Sequence, residues 1–510
     1  MKKIFPALLL FISSQIFAQI PEDALRASWT TPSGTARQQA IGGAMGSLGG
    51  EISALFVNPA GLGFFKTNDF VLSPGFNFSS DKSNYRGTNA SGNTSSNFNL
   101  GTTGAVFASG PGRNGNTGSF SIAVNRTANF NKDVFYKGQN DFSSYAEQYA
   151  YEFASSGLSI NDALGTTQLS YGTRMALYTY LIDTATIGGS PQVISQPLKA
   201  DLLNQQNQFH SRGGITEIAL GYGSNMRDKL YLGFSVGIPI FNYSRNLTFT
   251  ETDATGNPNN DFASSIYNEK YTTKGFGFNL KLGMIYKPSS SWRVGFALHS
   301  PTIFGLTDEI HSSMITNTEG YAGTVSMSSD SLDYYTNSSA NKVNYDLLTP
   351  WKFLISGSYL FGAGNADVSK QQGFITADIE YVTDKSSRYH RADETTDPNY
   401  FPAVNDAIKN SYKGNFNFRV GAEMKFSTFM GRLGFAYSTS PYSQSELKAD
   451  RMSLSCGIGY RNRGMFIDLA YIENIINDVN FPYRLSDKAN TFATLKETGG
   501  TILFTVGFKF

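Results

Sequence analysis

The side chains best placed for chemistry share one face of a set of alternating segments. They are Lys281, Arg293, Arg419, Lys425 and Arg432 among the bases, with Asp378, Glu380, Glu423 and Asp468 among the acids. An arginine meets a carboxylate with two parallel N–H donors, so Lys281, Arg293 or Arg419 could receive an acidic headgroup. The plainer reading is that the same residues brace the inner wall as a lattice of salt bridges and hydrogen bonds. His299 shares that face and offers an imidazole to haem, to a headgroup or to a neighbouring stretch of chain. An esterase or protease needs a nucleophile, a base and an orienting group placed together. Only His210, His299, His311 and His390 could serve as an imidazole base, and the chain is read as a non-enzyme. The one cysteine, Cys456, permits no internal disulfide and lies on the apolar side of its segment, which leaves no metal site and no cofactor to expect.

The elements that must position these residues are short and extended. Charged residues make up 16% of the chain, below the roughly 25% of ordinary soluble domains, yet beyond residue 12 no apolar run is long enough for a spanning helix. A chain facing lipid on alternate residues only has this composition. Residues 230–240 carry Leu230, Leu232, Phe234, Val236, Ile238 and Ile240 on one face against Tyr231, Gly233, Ser235, Gly237 and Pro239. Residues 276–286, 292–299 and 416–426 repeat the pattern, with Lys281, Arg293 and Arg419 on the polar face. A basic side chain turned to mid-bilayer lipid costs roughly 2–4 kcal/mol, which fixes the apolar face outward. About fourteen such segments lie between residues 69 and 510, joined alternately by short turns and by long loops over 81–95, 130–213, 244–269, 305–350, 384–413, 440–450 and 475–498. The expected fold is all-β, a fourteen-stranded antiparallel transmembrane β-barrel closed by the strand ending at Phe510.

The start of the chain reads as a secretory signal peptide over 1–18. Lys2 and Lys3 precede an apolar run from Ile4 to Ile12, and cleavage is expected between Ala18 and Gln19. Residues 19–67 form a second region, expected to lie inside the barrel as a plug. It is rich in glycine, with a helix over Glu51–Val57 that stops before Asn58-Pro59-Ala60-Gly61, because proline pushes the residue before it out of helical geometry. The barrel proper then spans 68–510. Its largest loop, 130–213, carries Phe142, Tyr145, Tyr149 and Phe153 on one helical face. That face either packs under the barrel mouth or lines a groove for a greasy ligand.

Two stretches are similar to the FadL-type outer-membrane transporters of long-chain fatty acids and other hydrophobic compounds. They are Ser33-Gly34-Thr35-Ala36-Arg37-Gln38-Gln39-Ala40-Ile41-Gly42-Gly43-Ala44 and Ala54-Leu55-Phe56-Val57-Asn58-Pro59-Ala60-Gly61-Leu62. The segment from Arg293 to Thr302 and Thr349-Pro350-Trp351-Lys352 also resemble that family. The resemblance implies a barrel plugged by an N-terminal hatch, with the turn Asn58, Pro59, Ala60 and Gly61 helping to control access. It implies capture by outer loops and release sideways through the wall near the third strand, although no residue within 117–129 signals an interruption. Some relatives are labelled hemin receptors.

The expected function is uptake of hydrophobic molecules, long-chain fatty acids foremost, across the outer membrane of a Gram-negative bacterium. Haem uptake, or a non-transporting role in secretion or surface assembly, is the alternative. The expected partners are membrane lipid, a hydrophobic small molecule and, through the terminal Phe510, the outer-membrane assembly machinery. The chain is read as a monomer, and a net charge of +1 gives no sign of nucleic acid binding.

Overall fold

The computed structural model describes residues 20–30, 33–110, 116–336, 341–362, 372–392 and 400–510; the expected signal peptide and its cleavage point lie outside them. Fourteen antiparallel strands close into a barrel. They are β1 (Asp69–Leu72 and Pro74–Tyr85), β2 (Ser95–Leu100 and Thr103–Ser109), β3 (Thr117–Asn129 and Lys132–Asn140), β4 (Leu203–Met226) and β5 (Leu230–Asp253). Next come β6 (Ser264–Tyr286), β7 (Trp292–His299 and Ile303–Asn317), β8 (Lys342–Leu348 and Lys352–Phe361), β9 (Gly373–Val382 and Arg388–Arg391) and β10 (Asn415–Phe426). The last four are β11 (Phe429–Ser438), β12 (Arg451–Asn462), β13 (Met465–Asn480) and β14 (Ala493–Lys509). β14 pairs with β1 from Asp69↔Lys509 to Asn84↔Thr494, so the sheet has no outer edge strand.

The alternation read from the sequence sets the two faces. Phe234, Val236, Phe276, Leu280, Phe296, Phe418 and Phe504 are exposed on the outside, whereas Ser235, Lys281 and Thr505, one residue out of phase, are buried inside. The exposed belt is a lipid-facing surface, and Cys456 lies on it as a free thiol. No described helix is long and apolar enough to cross a membrane.

The expected loops are shorter than their boundaries suggested. β4 and β5 are each 24 residues long and β6 is 23. Much of 130–213, 244–269 and 305–350 therefore continues the strands above the membrane. There the outer face meets water, the period-two apolar signal vanishes, and stretches such as Asn204-Gln205-Gln206-Asn207 look like loop while pairing as strand. Over these extensions sits a cap containing α4 (Glu147–Ser156), α5 (Ile160–Gly165), α6 (Tyr171–Tyr178) and α7 (Ser329–Thr336). Its own apolar core includes Tyr145, Tyr149, Phe153, Met175 and Phe249. Buried Glu251 ties the cap down, accepting from Ser144 Oγ at 2.8 Å and from the Tyr145 amide at 2.9 Å.

The N-terminal segment lies within the barrel. α1 (Pro21–Ser28) begins with proline and two acids, which suit a helix start, and packs Ala24, Leu25 and Ala27 among Tyr243, Tyr271 and Phe304. α8 (Tyr400–Ser411) folds in from the loop before β10 to cover it. α2 (Ala36–Ala40) ends at Gly42 and Gly43, whose φ values of 67° and 79° reverse the chain at little steric cost. α3 spans only Ala54–Val57, and Asn58 then caps a 3₁₀ helix over Pro59–Phe64, with the Ala60 amide donating to its Oδ1 at 3.2 Å. The expected helix is thus shorter, and its stop is the start of a second turn.

Candidate functional site

Glycines on the inner wall let the N-terminal segment approach backbone to backbone. A methyl group on Gly233 would collide with the backbone of Pro59, and one on Gly434 with Gly42; Gly295 and Gly421 meet Gly46 and Ile41 in the same way. The lumen-facing glycines read in the sequence therefore form a collar around this segment rather than the lining of a water-filled pore. Single polar anchors fix the register. Asp378 accepts from the amides of Met45 and Gly46, both at 3.0 Å. Buried Asn58 donates to the carbonyls of Gly46, Met284 and Phe296 at 2.6, 3.2 and 3.3 Å. Pro59, Ala60 and Gly61 follow it and are buried as well.

The candidate headgroup residues singled out in the sequence have protein partners. Lys281 pairs with Glu217 and donates to Asn279 at 2.6 Å. Arg293 donates to the Leu48 carbonyl and lies 4.5 Å from the Phe64 ring centroid. The His299 Nε2 is 2.8 Å from the Val57 carbonyl, and Arg419 reaches Glu380 at 2.9 Å. A chain of charges, Arg37 to Glu423 to Arg432 to Asp468, crosses from the N-terminal segment into the wall. Burial works against the Arg37 charge, but the adjacent Glu423 outweighs it and raises its pKa; burial also holds the Glu51 carboxyl above its usual range. Among the loop residues, Tyr145, Tyr149 and Phe153 are interior to the cap, and Phe142 stays half exposed beneath Lys488. Gly233-Phe234-Ser235-Val236-Gly237 has the spelling of a nucleophile elbow, but it runs straight through β5 and Ser235 donates to the Leu55 carbonyl at 2.9 Å.

The site that sequence reasoning missed lies above the collar. A cavity of about 270 Å³ is bounded by α1, Trp29, the inner faces of β11 to β14 and the broken part of β3. Arg451 lies over the Trp29 ring, 3.3 Å from its centroid, and its buried Nε and Nη1 have no hydrogen-bond partner. Lys132 stands between Asp478 and Glu497, 3.4 Å from each. Leu25, Phe130 and Leu495 supply apolar wall. The cavity therefore joins an unsatisfied guanidinium to a mixed wall, in which Leu25, Phe130 and Leu495 sit among asparagine, serine and acidic side chains. The weak sequence signal was Trp29, one of three tryptophans, in a segment otherwise made of small residues.

The cavity reaches the wall where the wall is incomplete. β2 and β3 pair from Ser109↔Gly118 up to Thr103↔Val124. Above that level Ser95–Leu100 pairs with β1 and Asn125–Asn129 with β4, and no ladder joins the two among the described residues. A bulge at Thr127 shifts the β4 register, and Phe130-Asn131 interrupts β3. Ser83 closes the top of the opening by donating to the Phe135 carbonyl at 2.7 Å. The result is a window, spanned by one long hydrogen bond from Asn129 Nδ2 to Asn97 Oδ1 at 3.4 Å. Exposed Phe76 and Phe98 beside it place the window at the level of lipid. Asn99, Arg126, Asn129 and Asn131 belong to both window and cavity.

A closed barrel with an apolar belt, polar interior and internal N-terminal segment is an outer-membrane protein of the Gram-negative type. No protein-family model matches the chain, and no curated sequence does. Solved structures do match. A FadL homologue of Pseudomonas aeruginosa superposes with a TM-score of 0.56 at 13% identity, over 95% of this chain and 100% of that one. The toluene transporter TodX of P. putida gives 0.52 at 12% identity, over 94% and 99%. The toluene transporter TbuX of Ralstonia pickettii gives 0.50 at 15% identity, over 94% and 99%. The chain has the fold of these proteins.

Proposed function

We propose that this chain is an outer-membrane channel for hydrophobic molecules, long-chain fatty acids foremost. The observation that supports it best is the cavity that pairs Arg451 with an apolar wall and continues into the β2–β3 window. An amphiphile caught at the cap would lay its carboxylate against Arg451, which offers two unpaired donors, and its tail along Leu25, Phe130 and Leu495. Leaving by the window delivers that tail straight into lipid, whereas the axial route offers it only water and the N-terminal segment. That segment, 19–67, acts as the hatch of the barrel, and Asn58–Gly61 is its fixed corner. A cavity just under the roughly 300–1,000 Å³ of common ligand pockets suits a slim chain better than a broad macrocycle. Two solved proteins of this fold, TbuX and TodX, are named as transporters of toluene, a molecule without a charged end.

Binding measurements on the detergent-purified chain test the reading. Palmitate should bind, and R451Q should weaken it about tenfold, the size of one or two lost charge-assisted hydrogen bonds. Toluene binding should be unaffected by R451Q. A chain that binds neither ligand would sink the proposal. Equal palmitate affinity in R451Q would remove the headgroup role from Arg451 while leaving a channel for neutral molecules.

A further inference from the structure

At the end of the barrel opposite the cap, two neighbouring turns gather basic charge that the protein leaves unpaired. The β4–β5 turn is Met226-Arg227-Asp228-Lys229, and the β6–β7 turn opens with Lys287. The Lys287 amide donates to the Lys229 carbonyl at 2.8 Å, which ties the two turns together. Lys66, exposed at the end of the hatch, lies within electrostatic reach of Lys287. None of these four bases forms an ion pair among the described residues. The acid among them, Asp228, is bonded within its own turn, accepting from Asn225 Nδ2 at 2.7 Å and from the Tyr231 hydroxyl at 3.3 Å. Arg227 and Asp228 have φ values of 55° and 54°, left-handed values that a two-residue hairpin turn requires and that asparagine or glycine adopts at less cost. An exposed arginine at that tip contributes its charge and not an easy backbone fit.

The wall beside the turns sets their depth in the membrane. Tyr286 immediately precedes Lys287 and Trp292 begins the next strand; both are about half exposed on the lipid face, and Trp292 packs against Tyr359 with 4.9 Å between ring centroids. Exposed Tyr222 and Met226 stand on the same face next to Arg227. Tyrosine and tryptophan settle at the level of lipid headgroups, so the turn bases lie at or just beyond the phosphates of the periplasmic leaflet.

We propose that the β4–β5 and β6–β7 turns bind the headgroup of an anionic phospholipid of the periplasmic leaflet. Its phosphate is held by Arg227, Lys229 and Lys287, with the guanidinium offering paired donors. Its acyl chains run up the wall along Tyr222, Met226 and Tyr286. A zwitterionic headgroup brings an ammonium of its own into the cluster, and the same bases repel it. Basic residues near an anionic membrane surface each add to the attraction, and two turns held side by side present theirs together. The site concerns the grip of the barrel on its membrane and is independent of what the barrel carries.

Lipid titration of the detergent-purified chain, followed by native mass spectrometry, tests the site. Phosphatidylglycerol should bind about tenfold more tightly than phosphatidylethanolamine with the same acyl chains. In R227Q/K229Q/K287Q the two lipids should bind within about twofold of each other. K82Q/K137Q/K270Q, which removes three exposed lysines from the outer end, should keep the preference. Heat-modifiable gel mobility confirms that each barrel is folded. A parent that binds both lipids equally overturns the proposal, as does a preference that survives in R227Q/K229Q/K287Q or is lost in the outer control. Displacement of the lipid by millimolar inorganic phosphate at constant ionic strength would make this a free-anion site and overturn the lipid assignment too. Palmitate binding in R227Q/K229Q/K287Q should equal the parent's, which keeps this test separate from that of the channel.

Discussion

The floor of the barrel and the window in its wall are built from different residue types for the same physical reason. Backbone polar groups away from water must be paired. At the floor the pairing is made by bringing a second chain segment against the wall, which only glycine permits at Gly233 and Gly434. At the window two strand edges are left apart, and the bond across them is a single long one between the side chains of Asn129 and Asn97. Close backbone contact gives a rigid joint; side-chain substitutes give a loose one.

Substitutions in the floor should cost stability and leak ions, whereas those at the window should change exchange or transport with little loss of stability. The largest effect is expected from R432L. The Arg432 side chain is fully buried between Glu423 and Asp468, and removing one partner of a buried ion pair costs about 3–5 kcal/mol. Urea unfolding monitored by tryptophan fluorescence would measure it, and a midpoint equal to the parent's would refute the lattice. G434V comes next, at about 1–3 kcal/mol of overpacking. Because it pushes on the hatch at Gly42, it should also raise the conductance of single barrels in planar bilayers. Silent bilayers would mean that the collar does not seat the hatch. N58A removes three bonds from its amide and the acceptor of the Ala60 amide, and should cost about 1–2 kcal/mol in the same unfolding assay. Smallest of all, N129A should shift the unfolding midpoint by less than about 0.5 kcal/mol. Its signature is faster amide exchange across 125–131, and protection equal to the parent's would show that the bridge holds nothing closed.

Much of this architecture was legible in the residues. Fourteen alternating segments, the turn and loop alternation, and the glycine-rich stretch ahead of them led to the barrel, and Asn58-Pro59 marked the end of one inner helix and the start of the next. The outer thirds of β4 to β7 were not legible, because Gln205, Asn207, Thr248 and Thr252 carry no apolar alternation once lipid is absent. The basic residues picked from the pattern, Lys281, Arg293 and Arg419, proved to be occupied by Glu217, the Leu48 carbonyl and Glu380. Alternation tells which face a charge lies on and says nothing of what waits opposite. Arg451 was passed over because it stands at the very start of its strand, where the pattern is shortest.

By itself the sequence determined the strands, their lipid face and the presence of a segment too apolar for a free tail. These follow from local rules: side chains alternate along a strand, and charge is expelled from lipid. Only the tertiary structure decided that Trp29 would lie beneath Arg451, that wall glycines would meet hatch backbone, and that β2 and β3 would part above Thr103. Each of these is a relation between residues distant in the chain. A missing hydrogen-bond ladder leaves no mark on either strand, since both keep the alternation that lipid and lumen impose on them.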